Sequence, residues 1–172
     1  PAHDQWDDIW VGNDVILMLS QQEQQTAVLS AIKDFARSSY GNANTAPDTS
    51  RLIEATSEIP LSNLDQWELL VRWNIAREMH ASAPAKWQIW KKPTTILTWF
   101  DLCSVDGFRR EKTLQSLSDR APNRFCLALA IRRLNDWVPQ VRDAACKKLL
   151  TLAKISNPDL VADVLCVTLV HW

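Results

Sequence analysis

Apolar residues recur at helical spacing in the first quarter of the chain. Val28, Ile32 and Phe35 repeat every three or four residues, and Leu29 and Ala36 extend the same face. The Ser- and Gly-containing run 38–42 that follows is typical of a helix end. We therefore predict a helix over this stripe and a polar loop over residues 39–50.

A second apolar stripe begins after Ser62 and Asn63, either of which can cap a helix. It runs to about His80 through Leu64, Trp67, Val71 and Ile75. Pro84 and Pro93 then bound a short segment, because proline cannot continue a helix interior. After Pro93 we predict another helix that presents Ile96, Trp99 or Phe100, and Cys103.

A pattern of two helices joined by a turn, as in a helical hairpin, occurs twice within residues 106–172. Pro139 suits the first turn of a helix, where its missing N–H costs nothing, and Asp136 lies in the turn before it. At one constant offset, an upstream copy made of Arg110, Glu111, Thr113, Leu114 and Leu117 matches Arg142, Asp143, Ala145, Cys146 and Leu149. In the partner helices, Phe125, Leu129, Ala130, Leu134 and Trp137 match Leu160, Val164, Leu165, Leu169 and Trp172.

This doubled pattern resembles the HEAT repeat, and the resemblance rests on Asp136, Pro139, Val141, Arg142, Ala144, Ala145 and Leu149. It implies an all-α fold in which residues 106–172 form two antiparallel hairpins of a short right-handed α-solenoid. Residues 1–105 are then a divergent helical cap or an unrelated helical domain. The resemblance predicts burial between the layers of Leu114, Leu117, Leu129, Leu134, Ala145, Leu149, Val164 and Leu165.

Composition agrees with a helical chain. Only three glycines are present, whereas β-sandwiches and barrels need frequent Gly-rich turns. No apolar run is long enough to span a bilayer, and the first residues lack the basic and apolar segments of a secretory signal. The chain starts without methionine and ends at Trp172, at a repeat boundary, so we expect a larger helical-repeat protein around it.

No residue pattern predicts catalysis, a metal or a cofactor. Cys103, Cys126, Cys146 and Cys166 each lie in an apolar helical pattern without a Cys-x-x-Cys pair, which favours buried free thiols and a cytoplasmic setting over zinc or disulfides. His3, His80 and His171 are scattered. Phosphate-binding glycine loops and nucleophile motifs are absent, so we predict a non-enzymatic protein.

Charge is unevenly distributed although the formal net charge is only −1. Residues 1–70 carry eleven acids and three bases, whereas residues 106–155 carry eleven bases and five acids. The most specific basic cluster is Arg124, Arg132 and Arg133 on the second helix of a hairpin, where we predict that Arg124, Ala128 and Arg132 share a face open to the groove. In the structural alternative, Arg132 pairs with Asp136.

The nine tryptophans are candidate binding anchors. Trp67 and Trp99 fall in apolar stripes and are predicted to be core, while Trp137 and Trp172 recur at one repeat position and are predicted to wedge between hairpins. The surface candidates are Trp73, which lies off its helix's stripe, and Trp87 and Trp90, which flank the basic turn Lys91-Lys92.

The sequence predicts a macromolecule-binding or scaffold module with a protein partner. The alternative is nucleic-acid binding through the basic 106–155 region, because HEAT-like alkylpurine DNA glycosylases are similar in architecture. Those enzymes combine a basic groove with tryptophans and an acidic residue near the lesion. These roles are not assigned to positions of this chain.

Overall fold

The computed structural model describes residues 4–41, 47–81 and 96–170, which contain α-helices and short 3₁₀ turns and no β-strand. The helices are α1 (Asp4–Gly41), α2 (Ser50–Ser57), α3 (Leu64–Ala81), α4 (Gly107–Ser116), α5 (Arg124–Arg132), α6 (Pro139–Ile155) and α7 (Pro158–Val170). Turns of 3₁₀ helix occupy Leu61–Asn63, Trp99–Cys103 and Arg133–Asn135. None of the described helices is long and apolar enough to cross a membrane.

Side-chain caps set the starts of α4 and α5, and a proline occupies the first turn of α6. The Asp106 carboxylate accepts a hydrogen bond from the backbone N–H of Phe108 (3.0 Å), and the Asn123 side chain accepts one from that of Cys126 (2.8 Å). These bonds satisfy backbone donors that a helix start leaves without partners. Pro139 is the first residue of α6, as the sequence predicts.

In the N-terminal half, α1 packs against both α2 and α3. The predicted stripe is confirmed, since Val28, Ile32 and Phe35 are buried and α1 ends at Gly41. The Phe35 ring lies 6.3 Å from that of Phe100, which joins α1 to the turn Trp99–Cys103. The short helix α2 was not predicted.

The helices of the C-terminal half pack in corresponding pairs: α4 lies against α6, and α5 lies against α7. Helix α5 is apolar on all sides, with residues 125–131 buried, and it also contacts α2 and α3. A helix buried all round is a core helix rather than a surface layer. One hydrophobic cluster therefore runs through both halves of the described chain.

Asn123 joins the two halves by hydrogen bonds as well. Besides capping α5, its side-chain amide donates to the carbonyl of Ile53 (2.7 Å) and to the hydroxyl of Thr56 (2.9 Å), both on α2. Asn123 and Thr56 are buried, so these polar groups pair within the protein rather than with water.

Two details of the predicted fold are wrong. The segment after Ile96 forms only the 3₁₀ turn Trp99–Cys103, whose start is fixed where the Asp101 carboxylate accepts hydrogen bonds from Thr98. Leu165 is 40% exposed rather than buried, because it lies on the side of α7 that no described helix covers. Leu134 and Leu149 are partly buried, and the other predicted interior residues are buried.

Candidate binding groove

A groove of about 870 Å³ opens where α3, α5 and α7 meet the loop before α4. Its walls come from the start of α3 with the turn before it, from Val105, and from Val167 and Thr168 of α7. The end of α5 and the turn after it add Arg132, Arg133 and residues 135–137. We call this the charged groove, because two buried carboxylates and several arginines line it.

Glu68 is the first of these buried carboxylates. It lies in the second turn of α3 and is 2% exposed. Its two carboxylate oxygens each accept a hydrogen bond from Nη2 of Arg133 (2.8 Å), and Arg132 Nε lies 2.8 Å from Oε2. Arg72, one turn along α3, donates to Oε1 and also binds the Cys103 carbonyl (2.6 Å). Glu68 therefore joins α3 to the end of α5.

Asp136 is the second buried carboxylate, and it lies in the turn between α5 and α6. Arg110 of α4 binds it through two hydrogen bonds, from Nε to Oδ2 (2.9 Å) and from Nη2 to Oδ1 (2.7 Å). Arg133 Nη1 also donates to Oδ2 (3.2 Å), and the Val138 N–H donates to Oδ1 (3.0 Å). Two-pronged pairs of this kind fix geometry as well as charge.

The environment of Asp136 favours its ionised form. Burial by itself raises the pKa of this carboxyl. The hydrogen bonds from Arg110 and Val138, with the positive charges of Arg110 and Arg133, outweigh burial and hold the pKa below its usual value. Arg133 thus bridges two carboxylates, Glu68 and Asp136, and the chain Arg110–Asp136–Arg133–Glu68 links α4, the α5–α6 turn and α3.

The polar groups of this network all find hydrogen-bond partners within the protein. Every buried side-chain nitrogen and oxygen of the described residues has a hydrogen-bond partner. Both carboxylates hold arginines and are almost fully covered, so neither is placed to take a proton from a ligand in the groove. The described residues also contain no cluster of His, Cys, Asp and Glu with metal-binding geometry.

The rim of the groove is different in character, because it exposes large apolar side chains. Trp137 is 80% exposed and Val105 is 65% exposed, and both line the groove. The Arg110 guanidinium lies 6.0 Å from the centre of the Trp137 ring, at the limit of a cation–π contact. Phe108, three residues after Val105, is 64% exposed. A tryptophan held beside a polar groove is a typical binding anchor.

The structure corrects the predicted role of Arg132 and Arg133. Ala128 is fully buried against neighbouring helices, so Arg124, Ala128 and Arg132 do not form an open face. Arg133 is buried between Glu68 and Asp136, and Arg132 pairs with Glu68 and with Asp65. Burial and the neighbouring charge of Arg133 lower the pKa of Arg132.

The alternative pairing of Arg132 with Asp136 is also wrong. The partners of Asp136 are Arg133, three residues before it in the turn Arg133–Asn135, and Arg110 of α4. Arg124 does remain half exposed, as predicted, and lies 3.7 Å from Asp163 of α7. The prediction of positive charge at the end of α5 is therefore correct, but Arg132 and Arg133 pair with carboxylates of α3 rather than facing an open groove.

The tryptophans divide between core and surface. Trp67 is buried and Trp99 is partly buried against the core, as predicted, and Trp73 is 64% exposed beside Leu69 on α3. The predicted wedge at Trp137 is wrong, because its ring points out over Arg110. The other tryptophan predictions and two lysines lie outside the described residues: Trp87, Trp90, Lys91, Lys92 and Trp172. His80 is exposed, and His3 and His171 are outside the described residues.

The cysteine prediction holds for two residues and fails for two. All four are free. Cys103 and Cys126 are buried, and burial raises the pKa of both thiols above the usual value. Cys146 and Cys166 are exposed, because they lie on the outer side of the last helix pair.

Sequence reasoning missed Glu68, although a signal was present. Glu68 follows Leu64 by four residues and precedes Val71 by three, so it falls within the apolar stripe of α3. An acid at a core position requires a buried cation.

Comparison with known proteins finds no family model that matches the chain, and no curated protein or solved structure that is significantly similar to it.

Proposed function

We propose that this chain is a non-enzymatic module that binds a protein partner at the charged groove. The observation that carries the proposal is Trp137, which is 80% exposed at the rim although its neighbour Asp136 is buried. The hydrogen bonds of Asp136 with Arg110, Arg133 and the Val138 N–H fix the backbone of this turn before a partner binds, so binding has to order only the indole itself. Val105 supplies adjoining apolar surface on the same groove.

We also propose that α4–α5 and α6–α7 are two HEAT-like hairpins of a short right-handed α-solenoid. The sequence register between the two copies supports this, as do the contacts of α4 with α6 and of α5 with α7. In such an arrangement α5 and α7 are the second helices of the two hairpins, and the charged groove lies at their C-terminal ends. Four free cysteines favour a cytoplasmic setting for the module.

Nucleic acid is the weaker candidate for the partner. Arg132 and Arg133, two of the three arginines predicted to face a ligand in the groove, are engaged by Asp65, Glu68 and Asp136. Asp136 adjoins Trp137, but its carboxylate is 1% exposed and bound by Arg110, which does not leave it open to a flipped base. These contacts favour a protein partner.

The test starts with capture of partners on the immobilised chain, with and without nuclease, followed by affinity measurements on each purified partner. Trp137→Ala should weaken binding by about 30-fold, chiefly through faster dissociation, as expected for loss of an aromatic anchor. Trp73→Ala is the matched control, because Trp73 is also exposed but does not line the groove.

Three results would contradict the proposal. One is a partner whose affinity falls with Trp73→Ala but not with Trp137→Ala. Another is capture that disappears with nuclease. The third is direct DNA binding that weakens by about a thousandfold between roughly 50 and 200 mM salt, which is the signature of about six phosphate contacts.

A further inference from the structure

The outer side of the last helix pair exposes apolar residues at helical spacing. We call it the end face, and it consists of Cys146, Leu150 and Ala153 on α6 with Ala162, Leu165 and Cys166 on α7. All six are exposed, and Leu150 is 72% exposed. None of them lines the charged groove.

The preceding hairpin buries five of the six residues that correspond to this face, and the exception is Ser118, which corresponds to Leu150 and is exposed. In the register between the two copies, Cys146 corresponds to Leu114, Ala162 to Leu127 and Cys166 to Ile131. These three upstream residues are buried: Leu114, Leu127 and Ile131 are 0%, 1% and 6% exposed. Helices α6 and α7 pack on α4 and α5, so the end face has the residue pattern of a surface that another helix pair covers.

Another contact shows which side of α5 faces α7. Arg124, which shares a helical face with Leu127 and Ile131 by spacing, reaches Asp163 of α7. The equivalent side of α7 is the end face.

The exposed charges of α6 and α7 favour a second copy as the occupant. Helix α6 exposes two bases, Lys147 and Lys154, and one acid, Asp143, whereas Arg142 and Lys148 donate to the upstream carbonyls of Asp136 and Leu117. Helix α7 exposes two acids and no base; Asp163 lies beside Arg124 of α5, which leaves Asp159 for the second copy. Two copies related by a two-fold axis parallel to the helices place α6 of each copy over α7 of the other, which brings opposite charges together.

The positions along the hairpin match in this arrangement. Lys154 precedes the turn Ser156-Asn157 by two residues, and Asp159 follows it by two. Cys146 lies ten residues before Ser156 and Cys166 nine residues after Asn157, so both are about 14–15 Å from the turn at 1.5 Å per residue. A two-fold axis parallel to the helices keeps these heights, so Cys146 of one copy faces Cys166 of the other.

We propose that the end face binds a second copy of this chain, with α6 of each copy lying over α7 of the other. The dimer leaves the charged groove free for its own partner, so the proposed function and the dimer are separately testable. Trp137→Ala affects only the former.

Sedimentation under reducing conditions tests the dimer. The chain should form dimers as its concentration rises, and Leu150→Glu should raise the dimer dissociation constant at least about tenfold, because the contact would bury a carboxylate in place of an apolar side chain. Leu69→Glu is the control, since Leu69 is 47% exposed on α3, away from the end face. A chain that stays monomeric, or a dimer that tolerates Leu150→Glu, would overturn the proposal.

The native thiols test the pairing of α6 with α7. A short bis-maleimide should cross-link the dimer between Cys146 and Cys166, since Cys103 and Cys126 are buried. Cys146→Ser and Cys166→Ser should each abolish the covalent dimer. If Cys166→Ser leaves it intact and mass spectrometry finds Cys146 joined to Cys146, α6 lies over α6 and the proposed arrangement is wrong.

Discussion

Arg132 and Arg133 are neighbours of the same residue type, yet the protein uses them differently. Arg133 is buried and bridges Glu68 and Asp136, whereas the Arg132 side chain is 34% exposed and also pairs with Asp65. The sequence places both at the end of a helix. It does not reveal the partner Glu68, which lies 65 residues upstream, because that contact depends on how α3 packs on α5.

Glu68 and Asp65 provide a matched test of the buried network. Glu68→Gln should lower the free energy of unfolding by about 3–5 kcal/mol, because it leaves the buried Arg133 charge without its main partner. Asp65→Asn should change stability by no more than about 0.5 kcal/mol, since the Asp65 side chain is 70% exposed and water screens its pair with Arg132. Urea unfolding of both variants measures the two values. Equal losses would show that the Glu68 network is not the stabilising contact.

At the scale of single elements, strong apolar stripes were predicted well. The end of α1, the stripe of α3 and the proline-led start of α6 all agree with the structure. Helix α2 was missed because eight residues give little more than two turns of periodicity. The turn Trp99–Cys103 was read as a helix because apolar residues at helical spacing also suit a short 3₁₀ turn.

Two asparagines at helix starts separate the value of a cap from the value of a tertiary contact. Asn123 caps α5 and binds α2, whereas the exposed side chain of Asn157 accepts a hydrogen bond from the N–H of Asp159. Asn157→Ala should cost about 1 kcal/mol, the usual value of a cap. Asn123→Ala should cost about 2–4 kcal/mol, because the Ile53 carbonyl also loses a partner.

Thermal or urea unfolding distinguishes these outcomes. A similar small loss for both asparagines would mean that the bond between Asn123 and α2 contributes little. Asn123→Asp provides a further comparison, because it keeps the capping acceptor but puts a buried carboxylate oxygen beside the Ile53 carbonyl, so it should cost at least as much as Asn123→Ala although the cap is kept.

At the scale of the whole molecule, the sequence predicted an all-α chain correctly and divided it at residue 105. The described structure shows how much crosses that boundary: Glu68 binds Arg133, Arg72 binds the Cys103 carbonyl, and Asn123 binds α2. Local patterns locate helices, but they do not show that α5 is surrounded on all sides. That placement depends on contacts between residues far apart in sequence.

The shared core predicts that residues on both sides of position 105 unfold together. Seven of the nine tryptophans precede residue 106, so intrinsic fluorescence reports mainly the N-terminal half, while far-UV circular dichroism reports helices throughout. Leu152 is fully buried in α6, and Leu152→Ala should cost about 2–5 kcal/mol. Because the halves are coupled, the urea midpoint should fall equally by both probes, and the two curves should coincide in the parent chain as well.

The neighbouring variant Leu150→Ala should leave both curves almost unchanged at a concentration where the chain is monomeric, because Leu150 is 72% exposed. A fluorescence midpoint that stays fixed while the circular dichroism midpoint falls would show that the contacts of Glu68 and Asn123 do not couple the two halves.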